Sequence, residues 1–347
     1  MRVVATTVML LAVIVGQARA EYDEATFYAK TVPSYTIPTP VPGSVPPIIG
    51  KVQVYRVRKG DTLMDLARLY SLGYNEIVEA NPDLDPWVPP IGATILLPTE
   101  WVLPCCNYNG IVVNIPEMRL FFYRPGPDGT TIVHTFPVGL GRDEWRTPSG
   151  TFKVTGKTVN PQWNIPESIR KEHIEERGDP RTFIPGGDPD NPLGKYRLEL
   201  TLPGYRIHGT NIPWGVGMQV SHGCIRLYPE DIERLFPMVP VGVPGEFTYQ
   251  PVKIGTRDGQ LYAEAHQDIY GYSPALYRTS WDLLEKRGLA TSVDQKRLES
   301  GLHDGGGMPF LISLPSSARP SPPPGTGASL PGDQRAPTSN LHQARVD

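Results

Sequence analysis

The sequence predicts a mainly β domain preceded by a small βααβ unit, and three observations carry that prediction. Glycine and proline are abundant, 35 and 39 of 347 residues, which favours turns and short strands over a helical bundle. Strand signals dominate from Ile111 to Ile254, with apolar spacing of helical period confined to short stretches. Residues 55–98 read in order as strand, helix, helix and strand. The length suggests two or more domains.

Residues 1–20 have the form of an export leader. Arg2 supplies a minimal positive start, Val3 to Val15 are apolar apart from Thr6 and Thr7, and Ala18-Arg19-Ala20 matches a small-x-small cleavage site. Cleavage after Ala20 would start the mature chain at Glu21. The run is short for a bilayer span, and no later segment is long and apolar enough to cross a membrane. Residues 21–50 hold Pro33, Pro38, Pro40, Pro42, Pro46 and Pro47 without apolar periodicity, and read as an extended Pro-rich linker.

Residues 51–99 form the βααβ unit. Tyr55-Arg56-Val57-Arg58 alternates as a strand, and Lys59-Gly60-Asp61 turns. Thr62 to Asp65 has the form of a capping box, and Leu63, Leu66, Ala67 and Tyr70 share one helical face. A second helix, from about Asn75 to Ala80, stops before Pro82, which cannot continue the ladder. Thr94 to Pro98 closes with a strand. Trp101 to Asn109 is a short joint whose Cys105-Cys106 pair reads as two accessible linker cysteines; export would also permit a redox or intermolecular role.

Residues 109–255 are expected to form the main β domain. Ile111–Ile115, Arg119–Tyr123, Thr131–Val138, Thr151–Thr155 and Tyr196–Leu200 are its strand candidates, with a turn at Asp128-Gly129. Residues 156–194 are rich in Pro and Gly, an insertion suited to a lid or substrate wall. Pro229 to Phe236 reads as a short helix with proline and acids in its first turn. Residues 256–300 add a strand at Leu261–His266 and a helical stretch over 275–300. Residues 301–347 carry few apolar anchors and predict disorder.

A net charge of −3 makes a nucleic-acid polyanion a poor partner. Three cysteines, two adjacent and one distant, do not look like a disulfide scaffold, and no Cys-x-x-Cys zinc pattern occurs.

The chemistry concentrates in Ile207-His208-Gly209-Thr210 and Val220-Ser221-His222-Gly223-Cys224-Ile225-Arg226-Leu227. Acyl transfer from an amide needs a nucleophile, a base and donors for the developing oxyanion. Cys224 supplies a thiol, and His208 or His222 a base that titrates near neutrality. The backbone N–H groups of Gly223 and Cys224 are candidate oxyanion donors. If Cys224 to Leu227 is extended, Cys224 and Arg226 share a face while Ile225 and Leu227 point to the core. Arg226 would then suit a substrate carboxylate. A cysteine two residues after a histidine is weak evidence alone, since a buried cysteine is more often a small hydrophobe.

The whole pattern resembles two families. Tyr55-x-Val57-x-x-Gly60-Asp61-Thr62-Leu63, with Asn81-Pro82 and Leu97-Pro98, is similar to a LysM module. That implies binding to N-acetylglucosamine-containing glycan, with a purely structural βααβ unit as the alternative. His208-Gly209-Thr210 and Ser221 to Leu227 resemble the L,D-transpeptidase signature with a YkuD-type catalytic domain. Gly110 to Asn114, Glu117 to Leu120 and Thr147 to Phe152 resemble the same family, which implies a β-sandwich with short helices.

The resemblance implies Cys224 as nucleophile and His208, sixteen positions before it, as general base. It implies that the Gly209 carbonyl orients the imidazole and that His222, Gly223 and Cys224 frame the oxyanion hole. Ser221 would hold the loop, and Arg226 would serve structure or substrate contact. The implied reaction opens a peptidoglycan tetrapeptide stem at the third residue, usually diaminopimelate, releases D-alanine, and passes the acyl group to an amine. That amine is the terminal lysine of an outer-membrane lipoprotein or another diaminopimelate; water would make the protein a carboxypeptidase. No metal or organic cofactor is implied, and the implied compartment is a Gram-negative periplasm. The rivals are a non-catalytic wall-binding protein and a zinc hydrolase using His208, His222 and Cys224.

Overall fold

The computed structural model describes residues 22–41, 43–105, 107–273 and 275–315. The expected leader over residues 1–20 lies outside them.

A nine-stranded sheet organises the molecule. Its order is Ser34–Pro38, Thr130–Pro137, Arg119–Pro125, Gly110–Asn114, Pro244–Thr248, Gly150–Val159, Tyr196–Leu200, Arg206–His208, Ile225–Arg226. Two pairings are parallel: Pro244–Thr248 with Gly110–Asn114, and Arg206–His208 with Ile225–Arg226. Alternation sends Ile111, Val113, Leu120 and Phe122 into one core with Phe152, Val154, Leu198, Ile207 and Ile225. The opposite face sends Val112, Phe121, Tyr123 and Val133 into a second core shared with the βααβ unit. Both faces are covered there, which is why Ile111 to Val113 reads as an unbroken apolar run.

The βααβ unit pairs Gln53–Arg56 with Thr94–Leu97 and carries helices Leu63–Leu69 and Tyr74–Glu79. Thr62 caps the first helix by accepting from Asp65 N–H at 3.0 Å. Asn81 joins the second helix to the closing strand, donating to Ile77 O and Leu96 O and accepting from Leu96 N–H. Buried charges attach the unit to the sheet. Arg119, fully buried, donates through Nε and Nη2 to Glu76 at 2.9 and 2.7 Å, and Trp101 Nε1 donates to the same carboxylate at 2.9 Å. Arg68 pairs with Glu230 at 2.9 Å.

Residues 21–50 are not a spacer. Glu24–Ala29 is a helix whose Phe27 ring lies 4.1 Å from the Arg68 guanidinium carbon, and Ser34–Pro38 becomes an edge strand of the main sheet. Ile48–Gly50 pairs with Glu100–Val102. Edge strands tolerate proline, and the isolated anchors Phe27, Ile37 and Ile49 are buried.

The C-terminal part departs from expectation twice. The stretch 275–300 is two helices, Leu276–Lys286 and Gln295–Asp304, with Gly288 at φ +67° after the first. Order also continues past Gly301: Phe310–Leu311 pairs with the Gln260–Ala265 strand, and Ile312 is fully buried. Phe310 packs so closely on Gly301 that a Cβ there would lie 2.1 Å from its ring. Two apolar anchors suffice where composition predicted disorder; residues 316–347 lie outside the described residues. The strand Val252–Arg257 crosses the expected boundary at 255, because Val252 and Ile254 belong to the core of this third layer.

Candidate active site

The parallel pair Arg206–His208 and Ile225–Arg226 builds the site. Ile207 lies opposite Ile225 and His208 opposite Arg226, so Ile207, Ile225 and Leu227, all fully buried, fall on the core side. Alternation then puts Arg206, His208, Cys224 and Arg226 on the other face. A cavity of about 400 Å³ opens over them, walled by Trp163, Asn164, Leu193 and Arg197.

His208 is 2 % exposed, with Nδ1 2.7 Å from Gly209 O. A carbonyl only accepts, so Nδ1 carries the proton and Nε2 keeps its lone pair. Burial, then the Arg226 charge, lowers the His208 pKa to about 3 and holds the ring neutral. Burial raises the Cys224 thiol, opposed by the Arg206 backbone N–H and by the Arg206 and Arg226 guanidiniums. At rest Cys224 is thus a thiol, with Sγ 3.7 Å from Gly204 O, and shares the cavity with a neutral imidazole, with positive charge placed to favour a thiolate. Arg226 has a buried Nε without a hydrogen-bond partner and forms no ion pair among the described residues.

The loop before Cys224 revises one expectation. Gly223 N–H donates to Ser221 Oγ at 3.1 Å, and Ser221 Oγ donates to Cys224 O at 2.6 Å. Gly223 N–H is therefore engaged in the loop, whereas Cys224 N–H has no partner among the described residues. Gly223 has φ +101°, and a Cβ would lie 2.8 Å from the Tyr205 ring, so glycine is required.

His222 faces the insertion. Its Nε2 lies 3.1 Å from Glu172 Oε2 and 2.9 Å from Arg142 Nη2, and Arg142 also donates to Glu172 at 2.8 Å. Trp145 packs edge-on to the ring at 5.3 Å. Burial and Arg142 lower the His222 pKa, against the pull of Glu172. Glu172 belongs to the Glu167–Arg177 helix, so residues 160–194 are tied over the site and roof a second cavity of about 770 Å³ that shares His222 and Arg226 with the first. The sequence carried no signal for Glu172 or Arg142, because their pairing with His222 spans distant segments.

Three cysteine, histidine or carboxylate groups close enough to hold a metal occur, among the described residues, at Glu117, Glu264 and His266 rather than at His208, His222 and Cys224. Lys253 Nζ lies 2.8 Å from both Glu117 and Glu264 and takes the cation position. Cys105, one of the two linker cysteines, is disulfide-bonded, while Cys224 is free.

Residues 108–254 match the YkuD family, the L,D-transpeptidase catalytic domain, and residues 55–98 match the LysM domain. The probable L,D-transpeptidase YbiS of Escherichia coli is 39 % identical over 248 residues, covering 70 % of this chain and 78 % of that protein. The chain belongs to the L,D-transpeptidase family. The probable L,D-transpeptidase ErfK/SrfK of Salmonella typhimurium is 36 % identical over 295 residues, 81 % of this chain and 92 % of that one. Among solved structures, L,D-transpeptidase 3 of Mycobacterium tuberculosis aligns with a TM-score of 0.29 at 20 % identity, over 45 % of this chain and 67 % of that one. In this L,D-transpeptidase the mainly β domain and the LysM domain meet through the buried Arg119–Glu76 pair.

Proposed function

We propose that this L,D-transpeptidase is exported by its leader over residues 1–20 and acts on peptidoglycan in the periplasm through Cys224. The Cys224 proton passes to His208 Nε2, and sulfur attacks the carbonyl of the third residue, a diaminopimelate, in a tetrapeptide stem. The tetrahedral oxyanion is held by Cys224 N–H. His208 returns the proton to the departing amide nitrogen, D-alanine leaves, and a thioester remains on Cys224. An amine, from a lipoprotein lysine or another diaminopimelate, loses a proton to His208, attacks the thioester and restores the thiol.

Gly209 O sets the tautomer of His208, Ser221 and Gly223 shape the loop, and His222 anchors the lid through Glu172. Arg226 receives a stem carboxylate, and the LysM module over 51–99 holds glycan. The observation that carries the reading is the placement of His208, Cys224 and an Arg226 unpaired among the described residues on one face of two paired strands, beneath a walled cavity.

The test incubates the mature protein with tetrapeptide muropeptides and, separately, a lysine-terminated lipoprotein peptide, with products identified by mass. D-alanine release and an amine adduct are expected, both lost in Cys224→Ala. Unchanged products from Cys224→Ala would sink the nucleophile assignment.

A further inference from the structure

The hydrogen bonds behind the nucleophile lead out of the matched catalytic region. Thr147 Oγ1 donates to Gly223 O at 2.9 Å and accepts from Gly141 N–H at 3.2 Å. Thr147 N–H donates to Tyr270 OH at 3.1 Å, and that hydroxyl donates to Gly141 O at 2.7 Å. Tyr270 follows the Gln260–Ala265 strand of the C-terminal layer, yet it is 4 % exposed and belongs to the main core. Its backbone is held as well: its N–H donates to Tyr249 OH at 3.0 Å, and its carbonyl accepts from Arg146 Nη1 at 3.0 Å.

Gly223 C=O and Cys224 N–H belong to one peptide unit, which is planar and trans, so they point in opposite directions from one rigid plane. A donor fixed on Gly223 O therefore sets where Cys224 N–H points. It also polarises that N–H, because hydrogen bonds in a chain strengthen one another. Gly141, the other end of the brace, packs so tightly that a Cβ would lie 2.9 Å from Gly223 Cα.

We infer that Tyr270 is a positioning residue for acylation: through Thr147 it fixes the Gly223–Cys224 peptide plane and aims Cys224 N–H at the oxyanion. The C-terminal layer is then part of the active site. This inference rests on the proposed role of Cys224.

Two reactions of the same thiol separate the brace from general structure. Acylation by a tetrapeptide stem develops an oxyanion, whereas alkylation by iodoacetamide displaces iodide at a saturated carbon and develops none. Tyr270→Phe keeps the ring and removes the hydroxyl. Losing an oxyanion donor outright lowers rates about 100- to 1000-fold, so a donor that is only misaimed should lower single-turnover D-alanine release by about tenfold. Alkylation of Cys224, followed by the mass of its peptide, should stay within about twofold of wild type across pH, since the thiol and His208 are untouched. Thr147→Val should match Tyr270→Phe, and Thr147→Ser should keep most of the acylation rate. Leu298→Ala, in the separate core of the same layer, should lower the melting temperature without changing the ratio of the two rates. A parallel fall of both reactions in Tyr270→Phe, or no fall in either, overturns the inference while leaving the proposed function standing. A wild-type protein that alkylates but releases no D-alanine overturns both.

Discussion

Arg226→Gln should move stability and activity in opposite directions, because Arg226 is a half-buried cation, its Nε fully buried, without an ion-pair partner among the described residues. Burial lowers its pKa, the mark of a charge held against desolvation. An uncompensated ion in a protein interior costs several kcal/mol, and the adjoining cavity leaves Arg226 partly wet, so its removal should stabilise the fold by about 1–2 kcal/mol. Two charge-assisted hydrogen bonds to a stem carboxylate, discounted for desolvation, should contribute about 3 kcal/mol to transition-state binding. Their loss corresponds to a fall of about 100-fold in kcat/KM. A third effect has a fixed sign. Arg226 is the leading charge that depresses His208, so without it the His208 pKa rises from about 3 and the acid limb of the rate profile moves to higher pH. Thermal melts with D-alanine release measured over substrate concentration and pH give all three quantities. A less stable Arg226→Gln with unchanged kcat/KM would refute the reasoning.

His208 should also make the fold acid-sensitive. Its folded pKa of about 3 lies below its ordinary 6.5, so between those pH values the unfolded chain binds a proton that the folded chain does not. Stability should fall as pH drops from 6.5, by at most about 1.4 kcal/mol per pH unit, and His208→Gln should flatten that slope in urea titrations from pH 7 to 4.5. An unaltered slope would mean that His208 is not buried neutral. Glu76→Gln breaks a buried pair at the LysM junction and leaves Arg119 charged without its carboxylate. Unfolding free energy should drop by about 3–5 kcal/mol, and a loss below about 1 kcal/mol would show that the junction does not depend on that pair.

Local pattern carried much of the fold. The capped helix after Thr62, the alternating strand Tyr196–Leu200 and the turn at Asp128-Gly129 are short-range features, and each occurs where its residues place it. The segment 21–50 was misread because an edge strand gains its hydrogen bonds from Thr130–Pro137, far away in sequence. Order over residues 301–315 was missed because Phe310 and Ile312 are too few to register in composition, yet each meets a preformed partner.

The sequence by itself determined the family and the residue types at the candidate site: a thiol at Cys224, a histidine sixteen positions earlier, glycines beside both, and an arginine two residues on. Tertiary structure alone decided how those groups are held. It engaged Gly223 N–H with Ser221, tied His222 to Glu172 of the Glu167–Arg177 helix, left Arg226 without an ion-pair partner among the described residues, and brought Tyr270 from the C-terminal layer behind Cys224. The reason is range: reactivity follows from residue type and near spacing, whereas pKa, tautomer and the direction of an N–H depend on neighbours that only the folded chain brings together.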